Sequence, residues 1–128
     1  MRDMDLIRDI LLAPEANPDL NGQSLHRGRA NEFFEKEGVS GDDVAYHLLL
    51  LINRNFVIGS YDRASGTFDI ERLSMDGHDF LDSVRNPEVW KKTKKGAEAA
   101  GGFTVDLLKD LAKGFIKKQI EEYTGVKL

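Results

Sequence analysis

"SGDDVAYHLLLLINRNFVIGSYDRASGTFDIERLS", residues 40–74, changes its hydrophobic period part-way along. Val44, His47/Leu48 and Leu51/Ile52 recur at helical spacing, behind Ser40 or Asp42 as an N-cap. Asn53 and Asn55 bracket the end of that helix. From Phe56 the pattern alternates: Phe56, Ile58 and Ser60 read as a strand, and "DRASG" as a turn. "TFDIERL" then alternates again through Phe68 and Ile70, with an imperfect step to Leu73. The stretch therefore predicts a helix followed by a β-hairpin.

Working back toward the start, "DMDLIRDILLA" sets Met4, Ile7 and Leu11 on one side of a helix over residues 3–13, with Leu6 and Ile10 beside them. Asp3 and Asp5 suit its positive N-terminal end, and Pro14 with "NPDLNG" predicts its stop. "RGRANEFFEKEG" predicts a short second helix with Phe33 and Phe34 as core residues and Gly38 as terminator. Three helices and a hairpin are the winged-helix order, the third helix packing on the others and the hairpin forming the wing.

Working forward, "RLSMDGHDFLDSVRNPEVW" predicts a helix capped by Ser74, with Asp76 in its first turn. Gly77, Leu81 and Val84 share its docking face, with Phe80 beside them, and Asn86-Pro87 interrupts or restarts the helix. "GAEAAGG" reads as a flexible joint. The last helix, "TVDLLKDLAKGFIKKQIEEY", carries Leu108, Leu111/Ala112, Phe115 and Gln119 at helical spacing. Leu107, Ile116, Ile120 and Tyr123 widen that stripe, which wants a partner in its own domain or in another subunit. The expected architecture is α+β and mainly helical. Residues 1–85 form a winged-helix-like domain, and residues 86–128 a helical extension packed on it or on a second subunit.

Composition narrows the function classes. A chain of 128 residues with 41% apolar content builds one modest core. With no cysteine it has no disulfide, thiolate nucleophile or cysteine-held metal. Its first residues mix acids among the apolar ones, unlike a secretory signal, and "VAYHLLLLI" is too short to span a bilayer, so a cytoplasmic location is expected. Residues 1–84 hold 8 Lys/Arg against 16 Asp/Glu, and residues 85–128 hold 10 against 6. The net charge of -4 therefore hides an acidic front and a basic tail.

Candidate sites are few. His78 and Asp82 lie four apart on one helical face, with Asp79 adjacent, and a metal would need a further ligand. Ser74 would have to reach His78 for nucleophilic chemistry, and no spacing requires it. The preferred reading is structural for His78, Asp79 and Asp82, each satisfied locally, and likewise for His47, a core-edge histidine. No catalytic residue, metal or cofactor is therefore assigned. The small metal-dependent enzyme around His78 and Asp82 is the minor alternative.

For contacts, Tyr46 is expected to face outward. Arg27 and Arg29, with Asn31, form the compact basic feature of the first half, and Arg63 sits on the wing. Lys91, Lys92, Lys94 and Lys95 beside Trp90 suit phosphates or an acidic protein surface, or else solvate a helix end. Asp42 and Asp43 at the start of the third helix would be repelled by phosphates, which weakens a groove-reading role. The acids among the lysines of the last helix argue against a membrane surface. A protein partner or self-association is expected, DNA is weakly supported, and no small-molecule substrate is evident.

"RDMDLIRDILL", "VAYHLLLLINRNFVIG", "RLSMDGHDFLDSVRNPEVW" and "LLKDLAKGFIKKQI" together resemble the domain-of-unknown-function family numbered 2513, small proteins of bacteria and their phages. The resemblance implies a winged-helix-like architecture with a C-terminal extension, and no activity or cofactor. Its hallmark residues are Arg2, Asp3, Asp5, Tyr46, His47, Leu48, Gly77, His78, Asp79, Phe80, Leu81, Asp82, Arg85 and Trp90. Arg54-Asn55-Phe56 departs from the Ala-Gly-Leu usual after the third helix, which removes a C-cap glycine.

Overall fold

The computed structural model describes residues 2–16 and 26–127. Its elements in chain order are α1 (Met4–Ala16), β1 (His26–Gly28), α2 (Ala30–Phe33), α3 (Gly41–Asn53), β2 (Val57–Asp62), β3 (Thr67–Leu73), α4 (Met75–Val84), α5 (Pro87–Ala100) and α6 (Val105–Thr124). The fold is mixed α+β, with one antiparallel sheet in the order β1-β3-β2. Two compact units emerge, Met1–His78 and Asp79–Leu128, and α4 runs from one into the other.

In the first unit, α1 buries Met4, Leu6, Ile7, Ile10 and Leu11, the stripe expected from its spacing. The helix passes Pro14, where a stop was expected, and ends at Ala16. A proline this close to a C-terminus removes only one late hydrogen bond. The rest of the predicted stop, from Asn17 to Gly22, lies outside the described residues. Ser40 is the N-cap of α3, accepting from the Asp43 amide at 3.1 Å. Val44, His47, Leu48 and Leu51 form the inward face of α3.

Two expectations change upstream of α3. The second helix shrinks to the single turn Ala30–Phe33, and a three-residue strand, His26–Gly28, precedes it. That strand is too short to show alternation, and its place comes from pairing with β3: His26 opposes Ile70 and Gly28 opposes Phe68.

The hairpin stands as expected, with Gly66 at φ 70° closing its turn through a bond from its amide to the Asp62 carbonyl. An irregularity lies in the pairing: Ile58 opposes Arg72 while Gly59 opposes Ile70, so Glu71 is the extra residue of a bulge. The bulge explains the imperfect step from Ile70 to Leu73, both buried. It also corrects the predicted phase of β2: Val57 is buried and Ser60 exposed, because pairing to the bulged strand resets the alternation. Gly59 lets the two backbones meet, since a Cβ there would fall 2.3 Å from the Asp69 carbonyl oxygen.

Ser74 joins the hairpin to α4. Its hydroxyl donates to the Asn55 carbonyl and accepts from the Gly77 amide at 3.0 Å, while its own amide donates to the Phe56 carbonyl at 2.9 Å. Asn55 holds φ 64°, supplying the left-handed position at the end of α3 without a glycine. Gly77 presses on the same loop: a Cβ would lie 2.2 Å from the Phe56 carbonyl oxygen.

In the second unit, Phe80, Leu81 and Val84 of α4 are fully buried, the docking face expected for that helix. Asn86 restarts the chain as the N-cap of α5, accepting from Glu88 and Val89 amides at 2.9 and 3.2 Å. The predicted joint "GAEAAGG" is instead largely helix, for α5 continues to Ala100 and ends on Gly101 at φ 86°. Alanines favour the helix, and Gly96 makes room for Leu111, which would lie 3.3 Å from an added Cβ. Residues 101–104 then turn the chain back, so α5 and α6 pack as an antiparallel pair. Val89, Trp90, Thr93 and Ala97 of α5 and Leu108 and Ala112 of α6 are its buried residues.

Candidate partner-binding surfaces

His47 is 1% exposed and uses both ring nitrogens. Nε2 accepts from the Asp3 amide at 2.8 Å, so the ring is neutral and Nδ1 donates to the Asp43 carbonyl at 2.7 Å. Asp3 in turn caps α1, its Oδ1 accepting from the Asp5 and Leu6 amides at 3.0 and 3.3 Å. One histidine thus ties the start of α1 to the first turn of α3. Tyr46 stands edge-on to it, ring centroids 5.3 Å apart, and remains 44% exposed.

The outer face of α3 runs Asp42, Tyr46, Leu49 and Asn53, the positions left when Val44, His47, Leu48 and Leu51 turn inward. Asp42, Tyr46 and Asn53 are exposed and Leu49 half-buried, so the stripe is acidic at its N-terminal end and partly apolar along its middle.

The cations of the first unit are mostly engaged. Arg27 grips Asp69 across the β1–β3 pair with two bonds, Nε to Oδ1 and Nη2 to Oδ2, both 3.0 Å. This fork holds the Asp69 carboxyl below its ordinary range and raises the Arg27 guanidinium further, in each case first through the hydrogen bond. Lys36 bonds Asp9 at 2.8 Å, which likewise raises its pKa, and Arg72 pairs with Glu71. Arg29 and Arg63 are exposed, on the approach to α2 and in the hairpin turn.

On α4, Met75, His78, Asp79, Asp82 and Arg85 form the exposed side. On the face that His78 and Asp82 share, Asp82 accepts from Arg85 Nη2 at 2.7 Å. A three-residue reach and full opposite charge favour arginine over imidazole there. Asp79 contributes its backbone carbonyl, which accepts from the Ser83 hydroxyl at 2.9 Å. Among the described residues, no group of three or more His, Asp or Glu side chains could hold a metal ion.

Trp90 requires a correction as a contact residue. It is 5% exposed and belongs to the interior, with Lys94 Nζ 5.7 Å from its ring centroid. Large apolar area placed beside lysines looks like a docking patch in sequence, but helical phase turns the indole inward with Val89, Thr93 and Ala97. Lys91, Lys92 and Lys95 are exposed, and Lys94 is half-buried along the indole. They occupy the middle of α5 rather than its end, so they do not serve as C-terminal complements to the helix dipole.

The family described as "Hypothetical protein (DUF2513)" matches residues 1–103. The chain belongs to the DUF2513 family. An "Uncharacterized protein" of Haemophilus influenzae (strain ATCC 51907 / DSM 11121 / KW20 / Rd) is similar to it, 29% identical over 122 residues, covering 93% of this chain and 98% of that protein. No solved structure matches the chain. The residues that carry the resemblance noted above divide by burial. His47, Leu48, Gly77, Phe80, Leu81 and Trp90 are buried, whereas Tyr46, His78, Asp79, Asp82 and Arg85 are exposed. The family match stops at residue 103, just ahead of α6. No described helix is long and apolar enough to cross a membrane.

Sequence reasoning passed over two of the features that matter at these surfaces. The link from His47 to Asp3 joins residues 44 apart, and no spacing rule connects them. The neutralisation of Arg27 by Asp69 depends on β1, which left no signal of its own.

Proposed function

We propose that this chain is a non-enzymatic cytoplasmic binding protein whose first unit is a winged helix that engages a protein rather than duplex DNA. The order α1, β1, α2, α3, β2, β3, with β3 central, supports the winged-helix reading, in which α3 is the helix that would enter a groove. The observation that carries the choice of partner is the outer face of α3. It offers Asp42, Tyr46, Leu49 and Asn53 and no cation, while Asp42 and Asp43 sit at the end nearest a groove. Phosphates repel that face, whereas a partly apolar stripe with a tyrosine suits a protein surface.

The direct test is titration of duplex DNA of mixed sequence at low and moderate salt. Weak or absent binding at both is the expected result. Tight binding that falls steeply with salt, and weakens when Arg29 and Arg63 are replaced by glutamate, would replace this reading with DNA recognition.

A further inference from the structure

Among the described residues, His47 is the one titratable side chain in the interior. Its two ring nitrogens are not equivalent. Nδ1 points at the Asp43 carbonyl, 2.7 Å away, and keeps that acceptor whether the ring is neutral or charged. Nε2 sits 2.8 Å from the Asp3 amide nitrogen, and a backbone N–H can only donate. A proton on Nε2 would set two N–H groups head to head at that distance. Turning the ring over gives no relief, for it brings carbon to where the nitrogens stand. At 1% exposure the ring has almost no access to water that could accept from a new N–H.

The surroundings pull the other way. The elements packed on α3 are chiefly α1, α2 and β2. The start of the chain brings Arg2, Asp3 and Asp5, with Arg8 and Asp9 a turn further along. Lys36, in the segment after α2, lies in the field of Asp9, Asp5 and Asp3. From α2 comes Glu32, bonded to the Arg29 amide, and the titratable residues of β2, Tyr61 and Asp62, stand at its turn end. On α3 itself the neighbours are Asp43 and the edge-on ring of Tyr46. Carboxylates outnumber cations in this set, so they attract an imidazolium once the ring is free to carry one. Proton uptake and the closed link to Asp3 therefore exclude each other.

We propose that His47 is a proton-operated latch on the start of α1. Protonation at Nε2 expels the Asp3 amide, frees Arg2 and Asp3 from α3 and frays the first turn of α1. The opening is local, because Leu6, Ile7, Ile10 and Leu11 stay buried and hold the rest of that helix. The Asp3 carboxylate, which caps α1 by accepting from the Asp5 and Leu6 amides, is the acid placed to meet the new N–H. Imidazole is the side chain that gains its charge between about pH 8 and about pH 5, so the latch responds to mild acid.

The test is NMR of the isotope-labelled full chain. At neutral pH the His47 ring should carry its proton on Nδ1 alone. Between about pH 7.5 and about pH 5, titration of that ring should coincide with a shift of the Asp3 amide resonance. Over the same range the Asp5 and Leu6 amides, referred to the intrinsic exchange rate at each pH, should lose at least about tenfold in protection, while amides in the middle of α3 keep theirs. His47→Gln offers an acceptor near the Nε2 position that does not titrate, and should abolish the response. Asp3→Asn, which keeps both the amide and a cap oxygen, should retain it, and so should His26→Gln with His78→Gln. If His47→Gln does not fold, the wild-type titration decides alone. A His47 ring that stays neutral until the whole chain unfolds, a titration that leaves Asp3 unmoved, or a response that survives His47→Gln would each overturn the proposal. None of these outcomes bears on the α3 reading, which stands or falls on the DNA titration.

Discussion

The two units of this chain solve the same stability problem with different materials. Residues 1–78 carry 8 Lys/Arg and 14 Asp/Glu, and are closed by a sheet, a bulge and two glycines pressed against backbone. Residues 79–128 carry 10 and 8, and are closed by helix faces alone. Backbone contacts of the first kind leave no room for adjustment: the carbonyls of Asp69 and Phe56 cannot move without breaking β3 or the loop ahead of α4. Side-chain contacts of the second kind yield gradually, and they leave an apolar helix face partly uncovered. The first unit therefore has its specificity built into its backbone, and the second leaves Ile120 and Tyr123 at the end of α6 exposed.

Substitutions break or sharpen that contrast. Gly77→Ala should be the most damaging, because its Cβ would sit 2.2 Å from the Phe56 carbonyl oxygen; a loss above about 3 kcal/mol is expected in urea unfolding followed by circular dichroism. Near-wild-type stability would mean that α4 moves freely on that loop. Leu108→Ala removes fully buried area from the second unit and should cost about 3 kcal/mol, visible in the fluorescence of Trp90, the chain's one tryptophan. His47→Leu keeps approximate volume but strands the Asp3 amide, for a loss of about 2 kcal/mol in the same denaturation assay. At Asn55, with φ 64°, alanine should destabilise by about 1 kcal/mol while glycine is tolerated, a difference readable as opposite ranks in thermal midpoint.

The smallest effect belongs to the Arg27–Asp69 fork, which is solvent-exposed. Its carboxyl is held below the ordinary value of 3.8, so the stabilisation is in place above that value and is lost as pH falls below it. Asp69→Asn should leave the neutral-pH midpoint little changed and remove this part of the acid sensitivity. High salt should shrink the difference between the two proteins.

Much of the fold is legible in local chemistry. The spacing of Val44, Leu48 and Leu51 gives α3, Ser40 caps it, and "DRASG" turns the hairpin, because periodicity and caps depend on neighbours a few residues away. The face of α4 through Gly77, Leu81 and Val84 is legible for the same reason. Less so are the pieces that long-range pairing creates: β1, the bulge at Glu71, and the phase of β2. For surfaces, the outward Tyr46 and the acidic start of α3 can be read from helical phase. The burial of Trp90 cannot be separated from its lysines until the limits of α5 are known.

By itself, the sequence determined the apolar faces of α1, α3 and α4, the cap at Ser74, the hairpin turn, the lack of thiol chemistry and the acidic-to-basic division of charge. These follow from residue type and spacing within a turn or two. Tertiary structure alone decided that His47 holds the start of α1 and that Arg27 is engaged by Asp69. It also decided that α6 outruns α5. Each of these depends on distances between side chains or on where two elements end, and such distances are set by packing rather than by local order.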